Sequence, residues 1–192
     1  MGTAHGGSNP PLGAMIEVEI RARLKDPKKF VEKLESMNAK FLGELIQSDS
    51  IYAYEKPGKP IKENGIMARI REENGKSKLE FKEICREKCA GLEIKANISN
   101  KEIAKRLLSK LGLNTLCEIN KKRRLFSIEE FEISVDNVEG LGDFVEIEKI
   151  VENDDESEAA KNSCIEFLRS IVGDVKLEGP YGDLLLEAKK WR

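Results

Sequence analysis

The chain has 192 residues, with 33 Lys or Arg against 35 Asp or Glu, so its formal net charge is only −2. This length suffices for one domain with a hydrophobic core. The balanced charge excludes the basic field typical of nucleic-acid-binding proteins, and no apolar run is long enough to span a bilayer. The charged content of 35% is typical of a thermophile or of a very soluble protein. We therefore expect a cytoplasmic protein with neither a nucleic-acid nor a membrane partner.

Residues 1–14 differ from the rest because small residues dominate and no periodic pattern is present. We interpret them as an added leader or a disordered extension, and residues 15–192 as a single domain. His5, the one histidine of the chain, lies in this extension. Histidine zinc sites and catalysis by Ser-His-Asp or Cys-His groups are therefore excluded, which leaves carboxylates, Lys, Arg, Tyr, hydroxyls and thiols.

The four cysteines are Cys85, Cys89, Cys117 and Cys164. Cys85 and Cys89 have C-x3-C spacing, but no second pair repeats it, so a zinc site is weakly supported. Reduced, partly buried thiols are the preferred interpretation, and a disulfide between Cys85 and Cys89 is left open.

Eight segments have the period-two alternation of strands. In "MIEVEIRAR", apolar residues take one parity and charged residues the other. The predicted strands are 15–24, 50–55, 66–72, 78–84, 91–98, 117–126, 130–136 and 143–151. Asn74-Gly75 is a two-residue hairpin signal between the third and fourth strands. The remaining residues between 43 and 65 are interpreted as one exposed connection.

Four helices interrupt the strands. The first begins at Asp26-Pro27, with Asp as N-cap and Pro in the first turn. The second spans 99–112, where Ser99 and Glu102 form a capping box. The others cover about 156–172 and 182–190. Eight antiparallel strands with short connections can close, so we predict an α+β fold: a closed eight-stranded antiparallel β-barrel with helices packed outside.

The charged residues that occupy one face of these alternating strands have two interpretations. For any one strand, a solvated face is the ordinary explanation. Glu pairs and Arg pairs at i, i+2 argue against it for the whole set, because like charges so close repel. Closure would also bring the acidic pairs of the first and last strands together. Carboxylates suit Mg²⁺ or Mn²⁺, and Arg suits phosphate oxygens. The pattern therefore indicates a lumen for a metal-bound triphosphate.

The motifs "EVEIR", "RIR", "EFK", "LEIK", "KKRR" and "LGDFVEIE", in this order, resemble the CYTH proteins, or triphosphate tunnel enzymes. This family includes class IV adenylate cyclases and thiamine triphosphatases. "QSDSIYAY" and "YGDLL" resemble the cyclase branch. The family pattern at the first strand is E-x-E-x-K, whereas this chain has Arg21 at the last position, so the charge is kept on a wider group.

The resemblance implies a role for each charged position. The metal ligands would be Glu17, Glu19, Glu146 and Glu148. The phosphate-binding residues would be Arg21, Arg69, Arg71, Lys82, Lys121 and Arg123. Asp136 would support the metal or the attacking group, and Glu93 would orient a cation or the nucleophile. The choice of Arg123 over Arg124 depends on strand parity.

The implied reaction has two forms. If the ribose 3′-hydroxyl attacks the α-phosphorus, the enzyme is a cyclase that releases pyrophosphate; if water attacks the terminal phosphorus, it is a triphosphatase. A non-catalytic module that binds triphosphate or polyphosphate is a third hypothesis, favoured by Arg21 and opposed by both glutamate pairs. Tyr52 and Tyr181 are candidates for contact with a base. An uncovered apolar strand face would allow a homodimer.

Overall fold

The computed structural model of the chain describes residues 15–57, 59–62, 65–83 and 90–189. The first fourteen residues, Cys85 and Cys89 lie outside this part, so the predictions made for them stay predictions. The strands are β1 (Met15–Arg23), β2 (Lys40–Ala53), β3 (Ile66–Glu73), β4 (Lys76–Glu83), β5 (Ala90–Ile98), β6 (Asn114–Ile128), β7 (Phe131–Val138) and β8 (Gly142–Val151). The helices are α1 (Pro27–Ser36), α2 (Lys101–Lys110), α3 (Ser157–Val172) and α4 (Tyr181–Lys189), with a short 3₁₀ turn at Asp154–Glu156.

The α+β class with eight antiparallel strands and four helices is confirmed. The strands follow the order β1-β5-β4-β3-β2-β6-β7-β8, and β8 also pairs with β1. The sheet curls as a half-barrel, and the β1–β5 seam that completes the strand order is its shortest ladder, with pairing only from Met15↔Glu93 to Val18↔Ala90, so a fully closed barrel stays a prediction. The curl gives the sheet one concave and one convex face. In the described part of the chain, no helix is both long enough and apolar enough to cross a membrane.

Helices α1 and α3 cover the convex face of β1, β7 and β8. Alternation in β1 places Ile20 and Ala22 on this face, where they join Leu34 of α1 and Leu168 of α3 in the largest buried cluster. The Asp26 side chain caps α1 by accepting a hydrogen bond from the Lys29 amide, as predicted. Burial of this apolar face, at about 25 cal/mol per Å², is the main force that holds the helices on the sheet.

Helix α2 covers the convex face of β2 and β3. The predicted capping box is wrong by one residue, because the N-cap is Asn100, whose side chain accepts from the Ile103 amide. Asn and Ser are comparable N-caps, so their order along the chain does not choose between them. Tyr52 is buried beneath α2 with Ala68 and Ile70, and it therefore does not reach the concave face.

Strand β2 is much longer than predicted, since it begins at Lys40 and includes residues 43–49 of the expected connection. From Lys40 to Ile46 it pairs with β6 alone, whereas Gln47–Tyr52 pairs with both β3 and β6. Ile46 is 69% exposed, so backbone pairing, and little burial, keeps this first half in the sheet. The predicted hairpin is confirmed, because Asn74 and Gly75 both have positive φ and join β3 to β4.

Helix α4 departs from the prediction that all helices pack outside the sheet. Its residues Tyr181 and Leu184 share a buried cluster with Ile51, Ile119 and Phe144. Ile119 has the same strand parity as Lys121, and Phe144 the same as Glu146, so these residues belong to the concave face. Helix α4 therefore closes off one end of that face.

Candidate active site

The concave face encloses a cavity of about 580 Å³. Its lining contains charged residues from β1, β3, β4, β5, β6, β7 and β8, and the segment that leads into α4 forms one side. Two predicted site residues, Glu93 and Asp136, are buried directly behind this lining. The other ten belong to the lining itself: Glu17, Glu19, Arg21, Arg69, Arg71, Lys82, Lys121, Arg123, Glu146 and Glu148. The sheet therefore brings the predicted residues to one face.

Asp136 is the centre of the first group of cations. Its carboxylate, fully buried, accepts two hydrogen bonds from Arg123, at 2.7 and 2.6 Å, and one from the Lys121 ammonium at 3.3 Å. The Tyr181 hydroxyl donates a fourth, at 2.9 Å. Burial lowers the pKa of Lys121 to about 8, although Glu146 and Asp136 act in the opposite direction. Asp136 is thus saturated with donors and fixes the orientation of two cations.

Arg21 and Glu146 link β1 to β8. The Arg21 Nε donates to Glu146 at 2.7 Å, and its Nη2 donates to Glu19. Glu146 also accepts from Arg123. Burial opposes ionisation, but the neighbouring cations Arg123 and Arg21 hold the pKa of Glu146 well below its usual range. Glu146 therefore serves as counter-ion to two guanidinium groups that the resemblance assigns to phosphate.

Asp49 and Glu80 neutralise the arginines of β3. Both oxygens of Asp49 accept from Arg71 at 2.7 Å, and Glu80 accepts from the Arg69 Nε. Despite burial, these arginines lower the pKa of Asp49 to about 2. Asp49 and Glu80 share the parity of the charged face, but the sequence pattern indicated no role for either. That parity was the available signal.

Glu93 and Glu17 form a second acidic pair on β5 and β1. Glu93 lies 3.1 Å from the Arg69 Nη2, 3.8 Å from the Lys82 ammonium and 3.7 Å from the Lys95 ammonium. Lys95, which sequence analysis also missed, donates to Glu17 at 2.7 Å. Burial and the hydrogen bond with Glu93 raise the pKa of Glu17 to about 7. Glu93 thus contacts three cations, in keeping with the orienting role that the resemblance implies.

Glu148 lies in the most acidic part of the face. It is directly opposite Glu19 on β1 and opposite Glu132 on β7, and Glu132 was not predicted. Burial, followed by the charges of Glu17, Glu19 and Glu132, raises the pKa of Glu148 to about 8. Such crowding of like charge destabilises the sheet unless a cation neutralises it.

The carboxylates are the right chemical type of ligand for a divalent metal, but in the described residues they are not grouped closely enough to form a metal site. Glutamate oxygens are the ligands that Mg²⁺ and Mn²⁺ prefer. Two buried acceptors beside the cavity, Glu93 Oε2 and Gln47 Oε1, have no hydrogen-bond partner within the described part of the chain. Among the residues that the structure describes, however, no three carboxylates lie close enough to hold a metal. Glu17, Glu19 and Glu146 are each paired with Lys or Arg here, so the set of four metal ligands stays a prediction.

One end of the cavity is apolar. On β2, β3 and β6, the inward-facing residues change from charged to apolar at the level of Ile51, Met67 and Ile119. The segment at 179–186 faces them, with Gly182 so close to Cys117 that an added Cβ would lie 3.3 Å from its Sγ. The cavity thus has a cationic half and an apolar half.

Burial agrees with the prediction that Lys121 and Arg123 of β6, and not Lys122 and Arg124, face the cavity. Lys121 and Arg123 line the cavity and are buried, whereas Lys122 is exposed and Arg124 half-buried on the convex face. Tyr181 lies beside the cations, with its ring centre 4.1 Å from the Arg21 guanidinium carbon.

Comparison with known protein families agrees with this geometry. The CYTH domain family matches residues 15–175. The chain belongs to the CYTH domain family. A Methanocaldococcus jannaschii protein, provisionally named an adenylate cyclase, is 33% identical over 159 residues, or 82% of this chain and 90% of that protein.

Solved structures of other proteins share the fold. A Pyrococcus horikoshii protein is 30% identical, with a TM-score of 0.73 over 89% of this chain and 98% of that one. A Hippeastrum protein, described as an adenylyl cyclase with a dominant triphosphatase activity, is 16% identical, with a TM-score of 0.61 over 91% and 96% of the two chains. At that identity the likeness is one of fold alone.

Proposed function

We propose that this CYTH protein is a divalent-metal-dependent enzyme that converts an organic triphosphate, ATP in the first instance, to a cyclic nucleotide and pyrophosphate. The two halves of the cavity are the observation that supports it. The cationic half matches a triphosphate, and the apolar half offers a surface for the organic group. Inorganic tripolyphosphate would leave that apolar half unused.

In this proposal the triphosphate binds by exchange of partners. Arg69, Arg71, Lys121 and Arg123 are each held by a carboxylate, so their charges are already oriented before the ligand arrives. Phosphate oxygens accept from Arg in the same two-pronged geometry as carboxylates do. The curled sheet would then enclose the ligand as the tunnel that the resemblance implies.

The metal would be held by Glu146, Glu148, Glu17 and Glu19, with Glu132 close by. When bound, Mg²⁺ or Mn²⁺ would neutralise phosphate charge that develops during the transfer. As the phosphates bind the Arg and Lys side chains, they would displace these carboxylates, which would then be free to bind the metal. Asp136, which is saturated with donors, would keep Lys121 and Arg123 in place.

Cyclisation and hydrolysis differ in the nucleophile. In cyclisation the ribose 3′-oxygen bonds to the α-phosphorus and the bond to the β-phosphate oxygen breaks, so pyrophosphate leaves. In hydrolysis the water oxygen bonds to the terminal phosphorus and the bond to the bridging oxygen breaks, so the diphosphate leaves and orthophosphate is formed. Triphosphatase activity is the alternative proposal, because the Hippeastrum neighbour described as a cyclase is mainly a triphosphatase. A cytoplasmic location and a homodimer, both expected from the sequence, belong to the same proposal.

The test is to incubate the purified protein with ATP and Mg²⁺ or Mn²⁺ and to separate the products by chromatography. Tripolyphosphate and thiamine triphosphate should be run in parallel, together with the Glu146→Gln variant. Glu44→Gln, on the exposed face of β2, is the matched control. Cyclic AMP and pyrophosphate, lost only in Glu146→Gln, would support the cyclase. Orthophosphate together with the diphosphate, and no cyclic AMP, would identify a triphosphatase, and no product with any substrate would contradict both.

A further inference from the structure

The segment before α4 is attached to β1 by backbone contacts. Leu177 forms a bridge with Ala22, and the Glu178 amide donates to the Arg21 carbonyl at 2.8 Å. The Arg21 side chain continues this attachment, because its Nη1 donates to the Gly179 carbonyl at 2.8 Å. Arg21 therefore holds the segment at two atoms, one on its backbone and one on its side chain.

The guanidinium of Arg21 has a partner in each direction. Its Nε and Nη2 donate to Glu146 and Glu19, its Nη1 donates to Gly179, and the ring of Tyr181 lies against its plane. A lysine has one nitrogen at the end of its chain and no plane to stack, so it cannot make this set of contacts. The geometry thus explains why an arginine, and not the family lysine, stands at this position.

Tyr181 connects the attached segment to the cationic half of the cavity. Its hydroxyl donates to Asp136 at 2.9 Å, its ring packs edge-on against Phe144 with centroids 5.1 Å apart, and α4 begins at this residue. Helix α4 then closes the apolar half, where a Cβ added at Gly182 would lie 3.3 Å from the Cys117 Sγ. The position of that wall therefore depends on the stacked pair Arg21–Tyr181.

We propose that Arg21 is a positioning residue that holds residues 177–181 as the wall of the apolar half, and that it is not a phosphate ligand. The proposal rests on the proposed function in one respect, namely that the organic group of the triphosphate occupies the apolar half. Arg21 then sets selectivity for organic over inorganic triphosphates. If Arg21 instead bound phosphate, it would contribute equally to the binding of organic and of inorganic triphosphates.

The first test compares two ligands by titration calorimetry in Mg²⁺: α,β-methylene-ATP and inorganic tripolyphosphate. Arg21→Lys should weaken binding of the methylene analogue at least tenfold and change tripolyphosphate binding less than twofold. Arg124→Lys, on the convex side of β6, is the matched control and should change neither. Equal loss of both ligands in Arg21→Lys would identify a phosphate ligand and overturn the proposal.

The second test, hydrogen exchange of the amides in residues 177–189, needs no ligand. Arg21→Lys and Tyr181→Leu should each speed this exchange at least tenfold, and the double variant should be no faster than either. Tyr181→Phe keeps the ring and should keep the protection. Unchanged exchange in Arg21→Lys would contradict the proposal. If the wild type binds neither ligand, the proposed function fails, and the exchange result still decides whether Arg21 holds the wall.

Discussion

Asp49 and Arg71 form a two-pronged ion pair between neighbouring strands, with both N–O distances at 2.7 Å. Asp49 is 1% exposed and lies directly opposite Arg71 in the β2–β3 ladder. Breaking one partner of such a buried pair typically costs about 3–5 kcal/mol, because the other charge is left without compensation. The pair therefore contributes to stability as well as to the orientation of a candidate phosphate-binding arginine.

Asp49→Asn should consequently lower the free energy of unfolding at pH 7 by at least about 2 kcal/mol. The folded-state pKa of Asp49 is depressed to about 2 from its ordinary value of 3.8. Its contribution is therefore fully present above pH 3.8 and is lost as the pH falls toward 2. Urea unfolding of both proteins between about pH 2 and 7 would measure this, and the two curves should converge at the acid end.

The matched control for this experiment is Asp174→Asn. Asp174 pairs with Arg169 at 3.5 Å, but its side chain is 97% exposed, so the substitution should leave the free energy of unfolding unchanged across the same pH range. A gap between wild type and Asp49→Asn that persisted at the acid end would show that the effect comes from packing and not from the charge of Asp49.

Arg123 and Arg124 provide a test of which face of β6 binds phosphate. Arg123→Lys loses the two-pronged contact with Asp136 and should weaken tripolyphosphate binding about 10- to 100-fold, or about 1.4–2.8 kcal/mol. Arg124→Lys should change binding less than twofold, because Arg124 lies on the convex face. Titration calorimetry would measure both. Equal effects of the two substitutions would show that strand parity does not decide the binding residue.

Much of the fold and of the candidate site could be predicted because period-two alternation is a local property. The alternation in β1 and β6 assigned Glu17, Arg21, Lys121 and Arg123 to one face, and the structure places them there. Asn74-Gly75 likewise determined a turn without reference to the rest of the chain.

The features that sequence analysis missed depend on contacts between distant segments. Nothing local in "YGDLL" shows that α4 packs against the concave face, since its apolar residues fit either face. Three residues that pair with the predicted site residues were missed for the same reason. Asp49, Glu80 and Lys95 have the correct parity, but only the register between strands shows which residues they contact. Parity likewise gives the predicted metal ligands a common face and not a distance, so the metal site stays a prediction.

Gly75 provides a prediction about folding that does not involve the site. It sits at φ +75°, and a Cβ added there would meet open space, so only backbone strain opposes a side chain. Gly75→Ala should therefore lower the free energy of unfolding by about 1 kcal/mol. Gly179→Ala is the control, because that residue has open space and no positive φ. Denaturant unfolding would compare them, and equal stability of the two variants would contradict the assigned turn strain.

Mn²⁺ binding should depend on Glu148. The like charges of Glu17, Glu19 and Glu132 surround Glu148, so a divalent cation that neutralises them should stabilise the fold. At a concentration about 100 times its Kd, the metal should add about 2.7 kcal/mol and raise Tm by roughly 5–10 °C. Glu148→Gln should abolish this rise, and without metal it should be at least as stable as the wild type, because the raised pKa of Glu148 means that ionisation of this carboxyl opposes folding.

Thermal unfolding with and without Mn²⁺ would measure both effects, and Glu44→Gln, far from these carboxylates on the exposed face of β2, should keep the full rise in Tm. A full rise in Glu148→Gln would remove Glu148 from the metal site. If the metal stabilises neither the wild type nor Glu44→Gln, the carboxylates are counter-ions of the neighbouring Arg and Lys only. The reaction would then have to proceed on the cations alone, which the product analysis with and without metal would test independently.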